Sequence, residues 1–287
     1  MKFGIALGTL NPGLWPEATR LADELGFESV WLPEHVVFPV EMGGSPRHGE
    51  DHPPVPADVP VFEPFTYLAW LAGQTTRVRF GTHVYNLALR HPFVAARAVT
   101  TLDVVSAGRL DFGIGAGWLE AEWRALQLDF ATRGRRLDEA LGVCCRLWCD
   151  PVVEHHGEFF DFDAVRFEPK PVQRPWPPIH VGGDGPAALR RAAVTGDGWI
   201  PMNHTLEQIP AAVAELARRR SEAGRAGRVE VTLGGAATGP GDVERHAAAG
   251  VDRMIVRPWQ RSSQALDAMR RFADEVLAPA LPGTPPA

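Results

Sequence analysis

Long apolar runs are missing from this chain of 287 residues. No stretch approaches the roughly 18 apolar residues that a membrane-spanning helix needs, so no membrane partner is expected. The N-terminal MKFGIALGTL has one lysine before a strand-like run and is too short and glycine-rich for a secretory core. Cysteine is scarce: the three, Cys144, Cys145 and Cys149, fall on one helical pattern. An odd number with no partner elsewhere argues against a disulfide framework and for a reducing cytoplasm. Zinc needs about four convergent ligands, and no Cys/His spacing supplies them, so no metal site is expected. Positive charge is in deficit, with 29 basic against 35 acidic residues and a net charge of −6. Nucleic-acid binding needs a basic footprint, so no nucleic-acid partner is expected. The short basic groups Arg133–Arg136 and Arg218–Arg220 read as solvated helix faces. No fixed-period repeat and no linker interrupt the chain, which reads as a single domain over residues 1–287.

What is present is alternation. Hydrophobic residues make up 45% and charged residues 22%, a globular balance. Short apolar runs predict strands at Phe3–Leu7, Ser29–Leu32, Val78–Val84, Leu110–Ile114, Ile179–Val181, Gly198–Pro201, Val229–Leu233 and Arg253–Val256. Between them, helical patterns cover Trp15–Leu25, Pro64–Gln74, Pro92–Val105, Arg133–Trp148, Pro186–Val194, Leu206–Ala223, Gly241–Ala249 and Ser263–Leu277. Pro64, Pro92 and Pro186 stand at helix starts, where a missing N–H costs little, and Gly26 can close the first helix in the left-handed conformation. Eight strand–helix pairs over about 250 residues are the count of an α/β (β/α)8 TIM barrel. Two insertions interrupt it. Residues 36–63, after the second strand, form a long loop over the barrel mouth, and residues 150–178, before the fifth, read as a small hairpin and a proline-rich crossing. The tail 282–287 is expected to be disordered.

Barrels of this kind bind ligands at the carboxyl ends of their strands. The second strand ends in Pro33-Glu34-His35, placing a carboxylate and an imidazole at the mouth for proton transfer, with Glu34 available to orient His35. His83 is a polar residue near the end of the apolar third strand and needs a partner or a purpose. The fourth strand ends in Gly113-x-Gly115-x-Gly117, which lacks the third glycine of a dinucleotide fingerprint because Trp118 stands there. The fifth breaks into Gly182-Gly183-Asp184-Gly185 before Pro186. These glycines and a helix N-terminus suit an anion if the Asp184 carboxylate turns away. Trp15, Trp118 and Trp259 fall just outside strands or at a helix start and are candidates to line a pocket for a planar or apolar molecule.

The segments GFESVWLPEH (26–35), RFGTHVYNLALRHP (79–92), TLDVVSAGRLDFGIGAGW (101–118), RGRRLDEAL (133–141) and PPIHVGGDGPAALRRAAVTGDGWIP (177–201) resemble the luciferase-like monooxygenase superfamily. Within it they look most like the coenzyme F420-dependent oxidoreductase branch. The resemblance implies a deazaflavin or flavin in the barrel mouth, backed by a third-strand bulge whose cis peptide would join His83 and Val84. It implies a cofactor phosphate on Gly182, Gly183, Asp184 and Gly185, backbone contacts from Ala116 and Gly117, and catalytic roles for His35 and Glu34 beside the ring. FMN-using relatives carry an arginine where this chain has Ala116, which favours F420 over FMN. A sugar-phosphate dehydrogenase of the F420 branch has a glutamate where this chain has Trp118, which argues for an apolar substrate wall. The expected activity is hydride transfer between F420 and a small organic substrate, in a homodimer. The alternatives are a reduced-FMN monooxygenase and a non-catalytic flavin-binding barrel, with a metal hydrolase last.

Overall fold

The computed structural model describes residues 1–47, 49–50 and 55–280. The tail expected at 282–287, and residues 48 and 51–54 of the expected mouth loop, lie outside the described residues. Among the described residues, eight parallel strands close a barrel in the order β1-β10-β9-β8-β7-β4-β3-β2. They are β1 (Lys2–Ala6), β2 (Ser29–Leu32), β3 (Arg79–Thr82), β4 (Leu110–Ile114), β7 (Ile179–Gly182), β8 (Gly198–Ile200), β9 (Glu230–Gly235) and β10 (Arg253–Val256). β5 (Val153–His156) and β6 (Asp161–Val165) form the separate antiparallel hairpin. Its turn is held to the barrel's outer layer by Glu139, whose carboxylate accepts the Phe159 and Phe160 amides.

The outer helices are α1 (Trp15–Leu25), α2 (Pro64–Ala72), α3 (Pro92–Val105), α4 (Glu120–Ala125), α5 (Arg133–Cys149), α6 (Pro186–Val194), α7 (Ile209–Glu222), α8 (Pro240–Ala249) and α9 (Ala265–Phe272). Gly26 ends α1 with φ 85°, as a left-handed cap requires. The sequence pattern ran β3 on to Val84, whereas its regular pairing stops at Thr82, and it missed α4, whose six residues give too few turns for a periodic signal. The last helix also changes character, with a π-helical turn over Ala273–Leu277 after α9.

The barrel interior is layered. At the amino ends of the strands, Arg253 is 1% exposed and pairs with both oxygens of Glu28 at 2.8 and 2.9 Å, while Arg79 pairs with Asp111 at 2.8 and 3.0 Å. Above them Trp31 fills the interior, packed with Ile200 and Ile255. It fits because its flanking strands carry glycines: a Cβ on Gly81 would stand 2.2 Å from the indole, and one on Gly4 2.7 Å. Small residues beside a large one let a barrel layer close around it. Over this plug, at the carboxyl ends, a cavity of about 1150 Å³ opens.

Candidate active site

The cavity floor is made where β3 leaves the ladder. The last regular β3–β4 pair is Gly81 with Asp111, and pairing resumes only at Tyr85 with Ile114. In between, Thr82 Oγ1 donates to the Gly113 carbonyl at 2.7 Å, the Tyr85 amide donates to the same carbonyl at 2.8 Å, and the His83–Val84 peptide is cis. The glycines of β4 make room for this bulge. A Cβ on Gly113 would lie 1.9 Å from the Thr82 carbonyl oxygen, and one on Gly115 would lie 2.6 Å from Val84 Cγ2. On the other side, a Cβ on Gly182 of β7 would come within 3.0 Å of Val84. Val84 is thus seated between two glycine-bearing strand ends, and with His83 it lines the cavity. Burial lowers the His83 imidazole to about 4, so the floor presents a neutral ring at neutral pH.

Glu34 and His35, adjacent on an extended segment, point to opposite sides. Glu34 is 4% exposed. It accepts from Arg90 Nη2 at 2.5 Å and from the Asn86 amide at 2.8 Å, and Arg90 stacks over the Tyr85 ring 4.3 Å from its centroid. Burial pushes the Glu34 carboxyl above the usual range against the pull of Arg90. The expectation that Glu34 orients His35 is therefore corrected: the partner of His35 is Glu122, with Nδ1 2.9 Å from Oε2. The other oxygen of Glu122 accepts the Val36 amide at 2.6 Å and the Val37 amide at 3.3 Å. Phe38 and Trp118 pack on the imidazole, with centroids 4.5 and 5.8 Å away. Nδ1 is engaged, so Nε2 is the nitrogen left for a ligand. Sequence reasoning missed Glu122 because it lies 87 positions from His35 on the short α4.

The turn after β7 supplies donors. Gly183 adopts φ 121°, its amide donates to the Ile200 carbonyl at 3.1 Å, and its own carbonyl accepts Trp199 Nε1 at 2.8 Å. The amides of Asp184, Gly185 and Ala187 donate to no protein acceptor among the described residues, and they open α6 at its positive end. The Asp184 carboxylate turns away, but not onto the helix. It accepts the Met202 and Asn203 amides at 2.9 and 3.0 Å and lies 2.9 Å from His204 Nδ1. Burial pushes its carboxyl up, and those hydrogen bonds outweigh burial and hold it low. The turn can therefore take an anion although an acidic residue sits in it.

Ala116 and Gly117 line the cavity, as do Trp15 and Trp118. Trp15 is held edge-on by Tyr67 and Phe62, at 4.8 and 5.4 Å between centroids. Trp259, expected in the pocket wall, is 3% exposed in the hydrophobic core and away from the lining, because the chain after β10 turns its indole inward. Phe38 and Arg47 join the lining from the loop expected over the mouth, and His204 joins it without a sequence signal. Among the described residues no group of His, Cys, Asp and Glu could hold a metal ion, and no helix is long and apolar enough to cross a membrane. The site thus joins an apolar floor, the His35 imidazole with Nε2 open to the cavity, and a set of open amides. That combination suits a planar molecule with an anionic tail and a reaction that moves one proton.

Known proteins share this arrangement of sequence. Residues 9–277 match the family described as luciferase-like monooxygenase. The chain is 33% identical over 194 residues to an F420-dependent glucose-6-phosphate dehydrogenase of Kineococcus radiotolerans, covering 66% of this chain and 52% of the dehydrogenase. It is 31% identical over 182 residues to the oxygenase component of a flavin-dependent trigonelline monooxygenase of Acinetobacter baylyi, covering 63% and 45%. The crystal structure of the monooxygenase RslO1 from Streptomyces bottropensis superposes with a TM-score of 0.75 at 26% identity, over 96% of this chain and 99% of that one.

Proposed function

The chain belongs to the luciferase-like monooxygenase family of F420- or flavin-dependent enzymes, and on that premise we propose that it is an F420-dependent oxidoreductase acting on a small organic substrate. The observation that carries this reading is the pairing of the glycine-seated Val84 floor with the open amides of Asp184, Gly185 and Ala187 in one cavity. A planar carrier fits against Val84 and its phosphate fits those amides, with Ala116 and Gly117 beside it. When bound, F420 supplies two-electron hydride chemistry. The rest falls to this chain. His35 exchanges a proton with the substrate through Nε2, Glu34 anchors Arg90 and Asn86 beneath it, and Trp15, Phe38 and Trp118 exclude water and favour an apolar substrate.

Ala116 favours F420 over FMN, because position 116 supplies no arginine for an FMN phosphate, the arginines that line the cavity, Arg47, Arg133 and Arg191, coming from other elements. The likeness to the trigonelline monooxygenase supports a second reading, a monooxygenase that uses reduced FMN. Titration with each cofactor while following tryptophan fluorescence separates them. Saturable binding of F420 supports the first reading, and tight FMN binding without a response to F420 moves the assignment to the second. His35→Ala is expected to lower turnover by about 10²–10⁴-fold, the usual worth of a general acid–base group, with the cofactor Kd unchanged. Unchanged turnover removes His35 from the mechanism.

A further inference from the structure

The carboxylate that holds His35 does more than fix its place. We propose that Glu122 is a positioning residue that sets the tautomer of His35, keeping the ring proton on Nδ1 and leaving Nε2 bare. The inference deepens the proposed role of His35 and rests on it for its catalytic meaning. An ionised carboxylate can only accept hydrogen bonds. The Glu122 side chain is 0% exposed, and one of its oxygens is taken by the Val36 and Val37 amides. The other lies 2.9 Å from Nδ1, so the proton of that contact belongs to the ring. The aromatic contacts of Phe38 and Trp118 fix the plane of the imidazole but cannot choose between its nitrogens. Among the described residues, Nε2 has no protein partner.

The consequence is directional. With Nδ1 protonated, neutral His35 meets a ligand as an acceptor. A substrate hydroxyl could then pass its proton to Nε2, and the imidazolium would return it in the reverse reaction; the bound carrier would supply the two-electron chemistry. The Glu122 carboxylate faces the ring nitrogen on which the imidazolium charge would be shared. The two amides it also holds, Val36 and Val37, begin the loop that follows β2, so one buried carboxylate sets both the ring and the root of that loop.

Glutamine in place of Glu122 inverts this pattern without changing its shape. Its carbonyl oxygen can keep the Val36 and Val37 amides, which leaves its NH2 group facing Nδ1 as a donor. The imidazole must then accept there and carry its proton on Nε2. Long-range proton–nitrogen correlation spectra of the cofactor-free protein, with its 10 histidines labelled by nitrogen-15, read this directly. His35→Gln assigns the resonance. The wild type is expected to show a protonated Nδ1 and a bare Nε2 for His35, and Glu122→Gln the reverse. In turnover, Glu122→Gln is expected to lower kcat by about 10²–10⁴-fold, the scale of a wrong tautomer in an acid–base histidine, with KM and cofactor Kd within about twofold. Glu122→Asp, which keeps the charge, should recover part of the loss. A wild-type His35 protonated on Nε2 overturns the inference by itself, whether or not the variants fold, and so does an unchanged pattern in Glu122→Gln. If the spectra behave as expected but His35→Ala keeps full turnover, the tautomer assignment stands and the catalytic role of His35 falls.

Discussion

Gly115→Ala tests the cavity floor. The added methyl would stand 2.6 Å from Val84 Cγ2, closer than real contacts permit. Val84 has little room to retreat, because a Cβ built on Gly182 lies only 3.0 Å from its other methyl and the Trp31–Ile200–Ile255 layer packs against it. Overpacking of this kind costs about 1–3 kcal/mol. For a protein of this size each kcal/mol lowers Tm by about 2–4 °C, so a drop of about 2–12 °C is expected. The displaced floor should also weaken cofactor binding by about tenfold, or about 1.4 kcal/mol. Val84→Ala alone opens a small void and destabilises by about 1–2 kcal/mol. In the double variant the two changes compensate, since the new methyl occupies the space the valine methyls left. Urea and thermal denaturation of the four proteins, completing a double-mutant cycle, should therefore give a favourable coupling of about 1–3 kcal/mol. A Gly115→Ala protein within about 0.5 kcal/mol of wild type, or strict additivity in the cycle, would refute the reasoning.

Other perturbations bear on separate parts of the site. Glu34→Ala leaves the Arg90 guanidinium unpaired in a buried place and should cost about 3–5 kcal/mol in urea denaturation, whereas replacing both residues by apolar ones should cost much less. Burial lowers His83 to about 4, so its contribution to stability is complete above the unfolded value near 6.5 and is lost as pH falls from there toward 4. His83→Gln should remove up to one proton from that dependence, flattening denaturation free energy by up to about 1.4 kcal/mol per pH unit in that window, and an unchanged slope would show a ring that takes up its proton as it does in the unfolded chain. Asp184→Ala removes the acceptor of the Met202 and Asn203 amides and should weaken F420 binding by about tenfold in a fluorescence titration. Tighter binding would show that its negative charge opposes the phosphate more than its hydrogen bonds support the turn.

Much of the fold is legible in the sequence because most barrel strands are short apolar runs with a glycine or proline at or just past their ends, and each long helix has enough turns to repeat its pattern. Ser29–Leu32, Leu110–Ile114 and Arg253–Val256 keep the same ends in sequence and structure, as do the helices Trp15–Leu25, Pro92–Val105 and Pro186–Val194. The site was legible where it is local. Gly182–Gly185 announces its turn through adjacent glycines and a helix-starting proline. It was illegible where contacts bring distant residues together. The Arg90 carboxylate partner lies 56 positions away and the His35 partner 87 positions away, and no spacing rule links them. Trp15 and Trp259 are the same residue type and are equally buried in the core, at 4% and 3% exposed, and only packing decides that the first also reaches the pocket wall. The glycines at 113 and 115 were visible as an opened strand end, but their purpose was not. They admit the Thr82 carbonyl and the Val84 side chain.

In the function proposed above, one cavity seats a planar redox carrier against Val84, with its phosphate on the amides that open α6 and His35 beside it. A crystal structure of the protein with F420 tests this most directly. The expected result is a deazaflavin ring on Val84, phosphate oxygens within hydrogen-bond distance of the Asp184, Gly185 and Ala187 amides, and His35 Nε2 open to the substrate space. A ring seated elsewhere, or a phosphate that leaves those amides unpaired, would contradict it.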